Sequence, residues 1–286
     1  MDRDEQVIIR LLEESDIPSA TRLKNLARWN QTQKDWLRLL KLEPAGCFAA
    51  CVEGKVVATT TATHYGLELA WIGMVLVDPE FRRRGIASRL MKSALAYLET
   101  AGTLTVKLDA TPDGQPVYEA LGFERELLIE RWEGIARSSP VHGCRQLDER
   151  AFPELLALDR RAFGVDRSSL LGALVAESSI APLICTVASG QVQGFVLARP
   201  GTAAYYLGPI VAVNERAAGE LLDAMLDRLA GEKVYVDFHT SFPDGDGLLA
   251  ERGFAKQRSL TRMQRGARSS AGTSALVFAI AGPEIG

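Results

Sequence analysis

Apolar residues in the first half of the chain recur at two spacings, one typical of strands and one typical of helices. An apolar run over residues 74–77 ends at Asp78-Pro79, which predicts a buried strand followed by a turn. Beyond Gly85, apolar residues recur on one helical face, at positions 86, 87, 90, 91, 94, 95 and 98. This stretch therefore predicts a strand, a turn and a helix.

The other elements of the first half follow from the same periodicities. Residues 47–52 and 55–64 alternate around Glu53-Gly54, which is typical of a β-hairpin. A strand over residues 69–77 should continue this antiparallel sheet, and a strand over 104–108 should lie parallel to it because a helix connects the two. Further strands are predicted at 7–11 and 126–132, and helices at 14–26, 30–40 and 116–121.

The second half of the chain repeats the first half weakly. The segment from Arg145 resembles the segment from Arg10, and the strand pattern around Gly208 resembles that around Gly73. Both pairs are about 135 residues apart, and a constant offset is the signature of an internal repeat. We therefore expect two copies of one domain.

The predicted boundary between the copies is a polar stretch. Residues 136–140 have linker character, which gives domains over residues 1–137 and 141–286. A final strand is predicted at 275–280, but the sequence leaves its pairing partner open.

A turn rich in arginine precedes the helix of the first copy. Arg82, Arg83 and Arg84 lead into Gly85 at the predicted helix N-terminus, where cations oppose the helix dipole. One interpretation is a solvated basic turn. The other, which the surrounding strand and helix favour, is an anion site that the glycine opens to close approach of the backbone.

The second copy lacks these features. Only Asn214-Glu215-Arg216 separates its strand from its helix, and Leu249 stands at the position that corresponds to Tyr118 of the first copy. The anion site, and the chemistry that depends on it, are therefore expected in the first copy alone.

Two motifs resemble those of the GNAT superfamily of N-acetyltransferases. Arg82-x-x-Gly85-x-Ala87 resembles the acetyl-CoA-binding motif, and residues 117–123, Val-Tyr-Glu-Ala-Leu-Gly-Phe, resemble the second motif of the family. The resemblance covers residues 7–133 well and the second copy only in architecture. It implies an α/β (α+β) fold of two tandem GNAT-like domains, the second degenerate, each a mixed, mostly antiparallel twisted sheet flanked by helices.

The resemblance implies acetyl-CoA as the cofactor. In the family, backbone N–H groups of the turn and the helix dipole hold the pyrophosphate, while a splayed strand end offers its backbone to the pantetheine amides. The cofactor-binding residues implied here are Val75, Leu76, Val77, Arg82, Arg83, Arg84, Gly85, Ile86, Ala87 and Ser88.

The catalytic residues implied are Tyr118 and Asp109. Tyr118 matches the tyrosine that in many GNAT enzymes protonates the leaving thiolate or donates a hydrogen bond to its sulfur; the alternative is an aromatic that packs its helix. The general base is not evident. Asp109 and His64 are candidates, and Asp109 alternatively caps the turn that follows it.

The segment between the first two helices lines the acceptor site in GNAT folds. Here it provides Trp29, Asn30 and Gln31, which suit a small polar molecule, although Asn30 alternatively caps the second helix. Trp71 is expected either in the wall of the same pocket or in the core. From the second copy, Asp237 and His239 either close a pocket between the domains or satisfy local turns.

Composition limits the function further. The 286 residues are 47% hydrophobic and 24% charged, with a net charge of −3, as expected for a globular protein without a basic field for nucleic acid. Apolar runs are too short for a membrane span, and the polar N-terminus carries no secretory signal. Four cysteines without metal spacing suggest core thiols in the cytoplasm, and no metal is expected.

The resemblance, together with these observations, implies an N-acetyltransferase in which the primary amine of a small molecule attacks the thioester directly. Two alternatives remain open at this level: an acyl-CoA-binding sensor without turnover, and an acetyltransferase acting on protein lysines or N-termini. The protein is expected to be a monomer or a homodimer.

Overall fold

The computed structural model of the chain describes residues 6–138, 143–267 and 272–286. Within these ranges the backbone forms thirteen strands and eight α-helices. The strands are β1 (Ile8–Leu11), β2 (Cys47–Val52), β3 (Lys55–Tyr65), β4 (Leu69–Val77), β5 (Thr105–Ala110), β6 (Glu124–Ile135), β7 (Cys144–Gln146), β8 (Leu183–Thr186), β9 (Val192–Arg199), β10 (Tyr205–Ala212), β11 (Lys233–His239), β12 (Ala255–Gly266) and β13 (Val277–Ala279). The helices are α1 (Ile17–Leu26), α2 (Gln33–Leu42), α3 (Ile86–Thr100), α4 (Gln115–Glu119), α5 (Phe152–Phe163), α6 (Ser168–Glu177), α7 (Glu215–Arg228) and α8 (Gly245–Glu251).

All thirteen strands belong to one sheet, in the order β1-β2-β3-β4-β5-β12-β6-β11-β13-β10-β9-β8-β7. The order is nearly symmetric about the β12–β6 pair, as two copies of one unit require. β4 pairs with β5 in parallel, and so does β10 with β11, whereas the other pairs that the sheet contains are antiparallel. The predicted fold class, with a mixed and mostly antiparallel sheet, is confirmed.

The two halves exchange strands at the centre of the sheet. β12, from the second half, lies between β5 and β6 of the first half, while β6 pairs with β11 of the second half. The expected pair of separate sheets is therefore replaced by one continuous sheet. Neither half completes its sheet without a strand from the other.

The periodicity of the first half is reproduced in the packing. The hairpin around Glu53-Gly54 joins β2 to β3, and the helix with the apolar face is α3. Its buried residues are Ile86, Leu90, Met91, Ala94, Leu95 and Leu98. They pack this helix on the sheet, so burial of one apolar face accounts for its position.

The start of α2 differs from the prediction. The helix begins at Gln33, three residues later than predicted, and Thr32 and Asp35 form a capping box at its N-terminus. The alternative role of Asn30 as N-cap is therefore wrong. Thr32 is the N-cap because Asp35, three residues later, accepts a hydrogen bond from the backbone N–H of Thr32 at 2.7 Å.

The last segment of the chain is buried along its length. β13 pairs with both β10 and β11, which settles the pairing that the sequence left open. Beyond it, the C-terminal arm, which we define as residues 280–286, crosses to the first half. There Trp71 donates a hydrogen bond to the carbonyl of Pro283 at 2.9 Å, and Tyr65 donates one to the carbonyl of Ile285 at 2.7 Å.

Three further expectations concern the linker, the cysteines and membrane-spanning helices. Of the predicted linker, residues 136–140, positions 139 and 140 lie outside the described residues. All four cysteines are free thiols, three of them buried. In the part of the chain that the structure describes, no helix is both long and apolar enough to cross a membrane.

Candidate functional site

The parallel strands β4 and β5 separate partway along their length. Among the described residues, pairing between them is confined to Leu69–Trp71 on β4, and β4 then carries a bulge where Met74 adopts a φ of 51°. A bulge bends the strand that carries it. The end of β4 therefore leaves its neighbour, and its backbone faces an opening in the sheet.

The N-terminus of α3 faces the same opening. Gly85 precedes this helix in the left-handed region, at a φ of 72°, and no side chain within the described ranges caps the first turn. The first N–H groups of α3 are therefore available to a ligand, and the helix dipole favours an anion there. The first turn carries no acidic residue of its own.

In the second copy, the helix N-terminus is capped and the gap between the parallel strands is filled by its own residues. Asn214 caps α7, accepting a hydrogen bond from the backbone N–H of Ala217 at 2.9 Å. β13 lies in the space where β10 and β11 part. The place that is open beside β4 is thus occupied by protein beside β10.

A cleft of about 1090 Å³ joins the end of β4 to the N-terminus of α3. Of the residues predicted to bind the cofactor, those that line the cleft are Val75, Leu76, Val77, Arg82, Arg83, Gly85, Ile86, Ala87 and Ser88. Arg84 is the exception, because its guanidinium lies over the ring of Phe81 and donates to the carbonyl of Glu80.

Tyr118 lies at the end of the cleft away from the arginine turn. Its side chain is 8% exposed, and burial raises the pKa of its hydroxyl well above the usual range. Its ring packs edge-on against Phe123. A phenol held in this way stays protonated and can donate to a ligand atom.

A second, smaller pocket of about 40 Å³ adjoins the cleft, and we call it the acceptor pocket. Trp29, Asp109, Tyr118 and Arg258 line both spaces. Gln31 and Glu284 line the acceptor pocket on its far side. The predicted residues Trp29 and Gln31 are therefore brought to one place, next to Tyr118.

Glu284 carries a buried carboxylate into the acceptor pocket from the C-terminal arm. Its side chain is 2% exposed; Gln31 donates to one carboxylate oxygen at 2.7 Å and Arg199 to the other at 3.1 Å. Burial raises the pKa of Glu284, and Arg199 opposes that shift. Gly73 makes the approach possible, since a Cβ there would lie 2.6 Å from the Cα of Glu284.

The two candidate bases, Asp109 and His64, lie in different parts of the first half. Arg262 donates to both carboxylate oxygens of Asp109, at 2.9 and 3.0 Å, and burial raises the pKa of Asp109 despite that pairing. This geometry favours a positioning role for Asp109 over that of a base. His64 instead contacts Glu43 and Tyr97 on another part of the first half.

Two predicted substrate residues serve the structure instead. Asn30 clamps the loop before β10: its side chain donates to the carbonyl of Ala204 and accepts from two backbone N–H groups of that loop. Trp71 is 1% exposed, with Arg262 stacked 4.5 Å above its ring. The core alternative for Trp71 is the one that the structure bears out.

The two candidates from the second copy lie away from the acceptor pocket. Asp237 forms a buried two-point ion pair with Arg131, at 2.6 and 2.7 Å. His239 accepts from the backbone N–H of Ser241, and burial together with the charges of Arg262 and Lys107 lowers its pKa to about 3.

Sequence reasoning missed Glu284 and Arg258. Arg258 sits in a polar strand without any motif, so no local signal marks it. Glu284 had one: it is the single charged residue in the apolar run 275–285, and a carboxylate that is buried with such a run needs hydrogen-bonding or charged partners.

Two family models match the chain. The model described as the acetyltransferase (GNAT) family matches residues 11–123, and the one described as an acetyltransferase (GNAT) domain matches residues 155–279.

Individual proteins match over most of their length. The chain is 29% identical to the uncharacterized N-acetyltransferase YitH of Bacillus subtilis, over 86% of each chain. It is 25% identical to the holothin acyltransferase of a Pseudoalteromonas species, over 91% of this chain and 87% of that one. A crystal structure from Pyrococcus horikoshii has the same fold, with a TM-score of 0.86 at 22% identity over 100% of this chain and 98% of that one.

Proposed function

The chain belongs to the GNAT acetyltransferase family and is an acyltransferase with two GNAT domains in tandem, and we propose that it transfers an acetyl group from acetyl-CoA to the primary amine of a small molecule. The observation that carries the proposal is the continuous cleft from the uncapped N-terminus of α3 to Tyr118, with the acceptor pocket directly beyond it. In the proposed division, residues 1–137 hold the cofactor site and residues 141–286 form the degenerate domain.

The residues of the cleft fit an elongated ligand with an anionic end. The backbone N–H groups at the start of α3, helped by Arg82 and Arg83, would hold a pyrophosphate, and Gly85 leaves open space above its Cα. Val75 and Val77, at the end of β4, would offer backbone groups to the pantetheine amides. These contacts would place the far end of the ligand beside Tyr118.

Acetyl-CoA would supply an activated acetyl group: overall a carbon–nitrogen bond forms, a carbon–sulfur bond breaks, and one proton passes from nitrogen to sulfur. Tyr118 would donate its hydroxyl hydrogen toward the sulfur. Because burial raises the pKa of Tyr118, we favour a hydrogen bond to the sulfur over complete loss of the phenolic proton. Asp109, held by Arg262, would position this end of β5.

The dimensions of the acceptor pocket favour a small molecule over a protein substrate. The pocket measures about 40 Å³ and is walled by Trp29, Gln31 and the C-terminal arm at Pro283 and Glu284. A protein lysine or N-terminus would need an open groove on this side. The second domain thus contributes to the acceptor side of the site through its arm and through β12.

Titration calorimetry with acetyl-CoA and a thiol-release assay over amines, amino acids, polyamines and peptides test the proposal. We expect micromolar binding of acetyl-CoA and thiol release that depends on a small amine. Binding without any acceptor-dependent release would indicate a sensor. Failure to bind acetyl-CoA would overturn the proposal.

A further inference from the structure

Arg258 lies at the junction of the cleft and the acceptor pocket. It lies on β12 where the register against β6 shifts by one residue, opposite Arg131. Its Nε is buried and has no hydrogen-bond partner among the described residues. Burial, and then the nearby charge of Arg131, lower the pKa of Arg258, whereas the nearby charge of Asp237 opposes the shift.

The neighbouring arginines are each matched by a carboxylate. Asp237 pairs with Arg131, Asp109 with Arg262, and Asp35 and Glu284 share Arg199. The carboxylate of Asp237 lies near Arg258 but bonds with both of its oxygens to Arg131. A partly desolvated guanidinium without a bonded anion is unfavourable on its own, and its planar fork of donors matches a carboxylate. Arg258 therefore has both the charge and the unused donors to bind an anionic group of a ligand.

The position of Arg258 indicates which ligand carries that group. The described residues that line the acceptor pocket include Arg258, Tyr118 and Glu284, and none of them belongs to the turn at residues 82–88. The phosphates of a cofactor bound at that turn would lie at the other end of the cleft. The anionic group is accordingly assigned to the molecule in the acceptor pocket.

Glu284 supplies the opposite charge in the same pocket. Each of its carboxylate oxygens accepts one hydrogen bond, from Gln31 or from Arg199, and each has a further lone pair. A carboxylate in this position suits an amine, because it can accept the N–H bonds of an ammonium or amino group.

We propose that the acceptor is a small molecule that carries both a primary amine and a carboxylate, with Arg258 binding its carboxylate and Glu284 accepting the N–H bonds of its amine. This inference deepens the proposed function and rests on it. Both charges reach the pocket from the second domain, one through the exchanged strand β12 and one through the C-terminal arm. The degenerate domain would thereby determine which amine is acetylated.

Matched acceptors test the inference. Thiol release is measured with glycine, β-alanine, 4-aminobutyrate and the twenty L-amino acids, each against its carboxamide, which keeps the amine and removes the negative charge. We expect the best acid to exceed its amide at least tenfold in kcat/KM. Arg258→Gln should bring that ratio close to one, and Arg258→Lys, which keeps the charge but loses the fork, should give an intermediate ratio.

A control variant and a binding measurement complete the test. Arg265→Gln changes an arginine of the same strand that pairs with Glu99, away from the pocket, and should keep the ratio of the unaltered protein. Calorimetry with the N-acetyl derivative of the best acid, in the presence of CoA, should show binding that Arg258→Gln weakens at least tenfold. Glu284→Gln should raise KM for acid and amide alike.

Distinct results would overturn the two proposals. Equal rates for acids and amides, with acetyl-CoA bound normally, would refute the inference and leave the acetyltransferase intact. The inference would also be refuted if Arg258→Gln raised KM for acetyl-CoA and left the preference for acids over amides unchanged. Absence of acetyl-CoA binding would instead refute the proposed function.

Discussion

Asp109 and Arg262 form a buried, two-point ion pair that joins the end of β5 to the exchanged strand β12, with distances of 2.9 and 3.0 Å. The pair links a strand of the first half to a strand of the second at the edge of the acceptor pocket. Arg262 also stacks on Trp71, 4.5 Å from its ring. The position of Asp109 in the wall of the acceptor pocket therefore depends on a contact between the two halves.

Asp109→Asn should destabilise the protein by about 3 to 5 kcal/mol, because it leaves the buried guanidinium of Arg262 unpaired. Thermal and urea unfolding measure the change. The double variant Asp109→Leu/Arg262→Met should recover most of the loss, since it removes both charges together. Unchanged stability with a hundredfold fall in kcat would show instead that Asp109 acts in the chemistry.

Gly85→Glu should weaken acetyl-CoA binding at least a hundredfold while the protein stays folded. The substitution strains a residue with a φ of 72° and adds a negative charge at the helix N-terminus, in space otherwise open to a ligand. Titration calorimetry measures the affinity.

Gly190→Glu is the matched control for that variant. Gly190 has a φ of 88°, has equally open surroundings and lies in a hairpin of the second half, so backbone strain is similar. We expect a comparable loss of stability, about 1 kcal/mol, with unchanged acetyl-CoA affinity. Equal binding losses in both variants would mean that strain alone, and not the anion site, explains the effect at Gly85.

Local features of the chain were predictable because their causes are local. One apolar face over residues 86–98 dictates α3, and Gly85 with the arginines marks its start. The constant offset between halves predicted the repeat. The start of α2 was missed although its signal, Thr32 followed by Asp35, is in the sequence, because Asn30 offered a competing cap.

The exchange of β6 and β12 could not be predicted in the same way. Both strands have similar patterns, so either could complete either half, and the choice depends on contacts between residues more than 100 positions apart, such as Arg131 with Asp237. The placement of Glu284 beside Gln31 likewise depends on how the whole chain folds. The charged residues of the acceptor pocket come mainly from these long-range arrangements, which is why the cofactor side was easier to predict.

Gly73→Ala should displace the C-terminal arm. An added Cβ would lie 2.6 and 2.7 Å from backbone atoms of Glu284, closer than real Cβ contacts allow. We expect a lower melting temperature, a higher KM for the acceptor and little change in acetyl-CoA affinity.

Gly172→Ala provides the contrast for that variant. Gly172 lies inside α6 with open space around it, so alanine there should stabilise the protein by up to about 1 kcal/mol. If Gly73→Ala proved as harmless as Gly172→Ala in melting temperature and in acceptor KM, the arm would not depend on close contact at Gly73.

Tyr118→Phe should lower kcat ten- to a hundredfold with little effect on KM for acetyl-CoA, because it removes one hydrogen-bond donor and keeps the ring against Phe123. Steady-state kinetics and a thermal melt measure the two effects. Tyr97→Phe removes a hydroxyl that donates to Glu43 outside both spaces, and should leave kcat unchanged. Equal kcat values for the Tyr118 variant and the unaltered enzyme would exclude a role for this hydroxyl.

Buried His239 should make the protein less stable in acid. Its native pKa of about 3 lies below the value of about 6.5 expected in the unfolded chain. Below pH 6.5 the unfolded state therefore binds a proton that the native state excludes, and stability falls as the pH drops from about 6.5 toward 3. His239→Asn keeps an acceptor for the N–H of Ser241 and removes this titration, so urea unfolding should show a shallower loss over that range. Comparison at pH 8, where histidine is neutral in both states, isolates any packing effect, and identical slopes for variant and parent would refute the assignment.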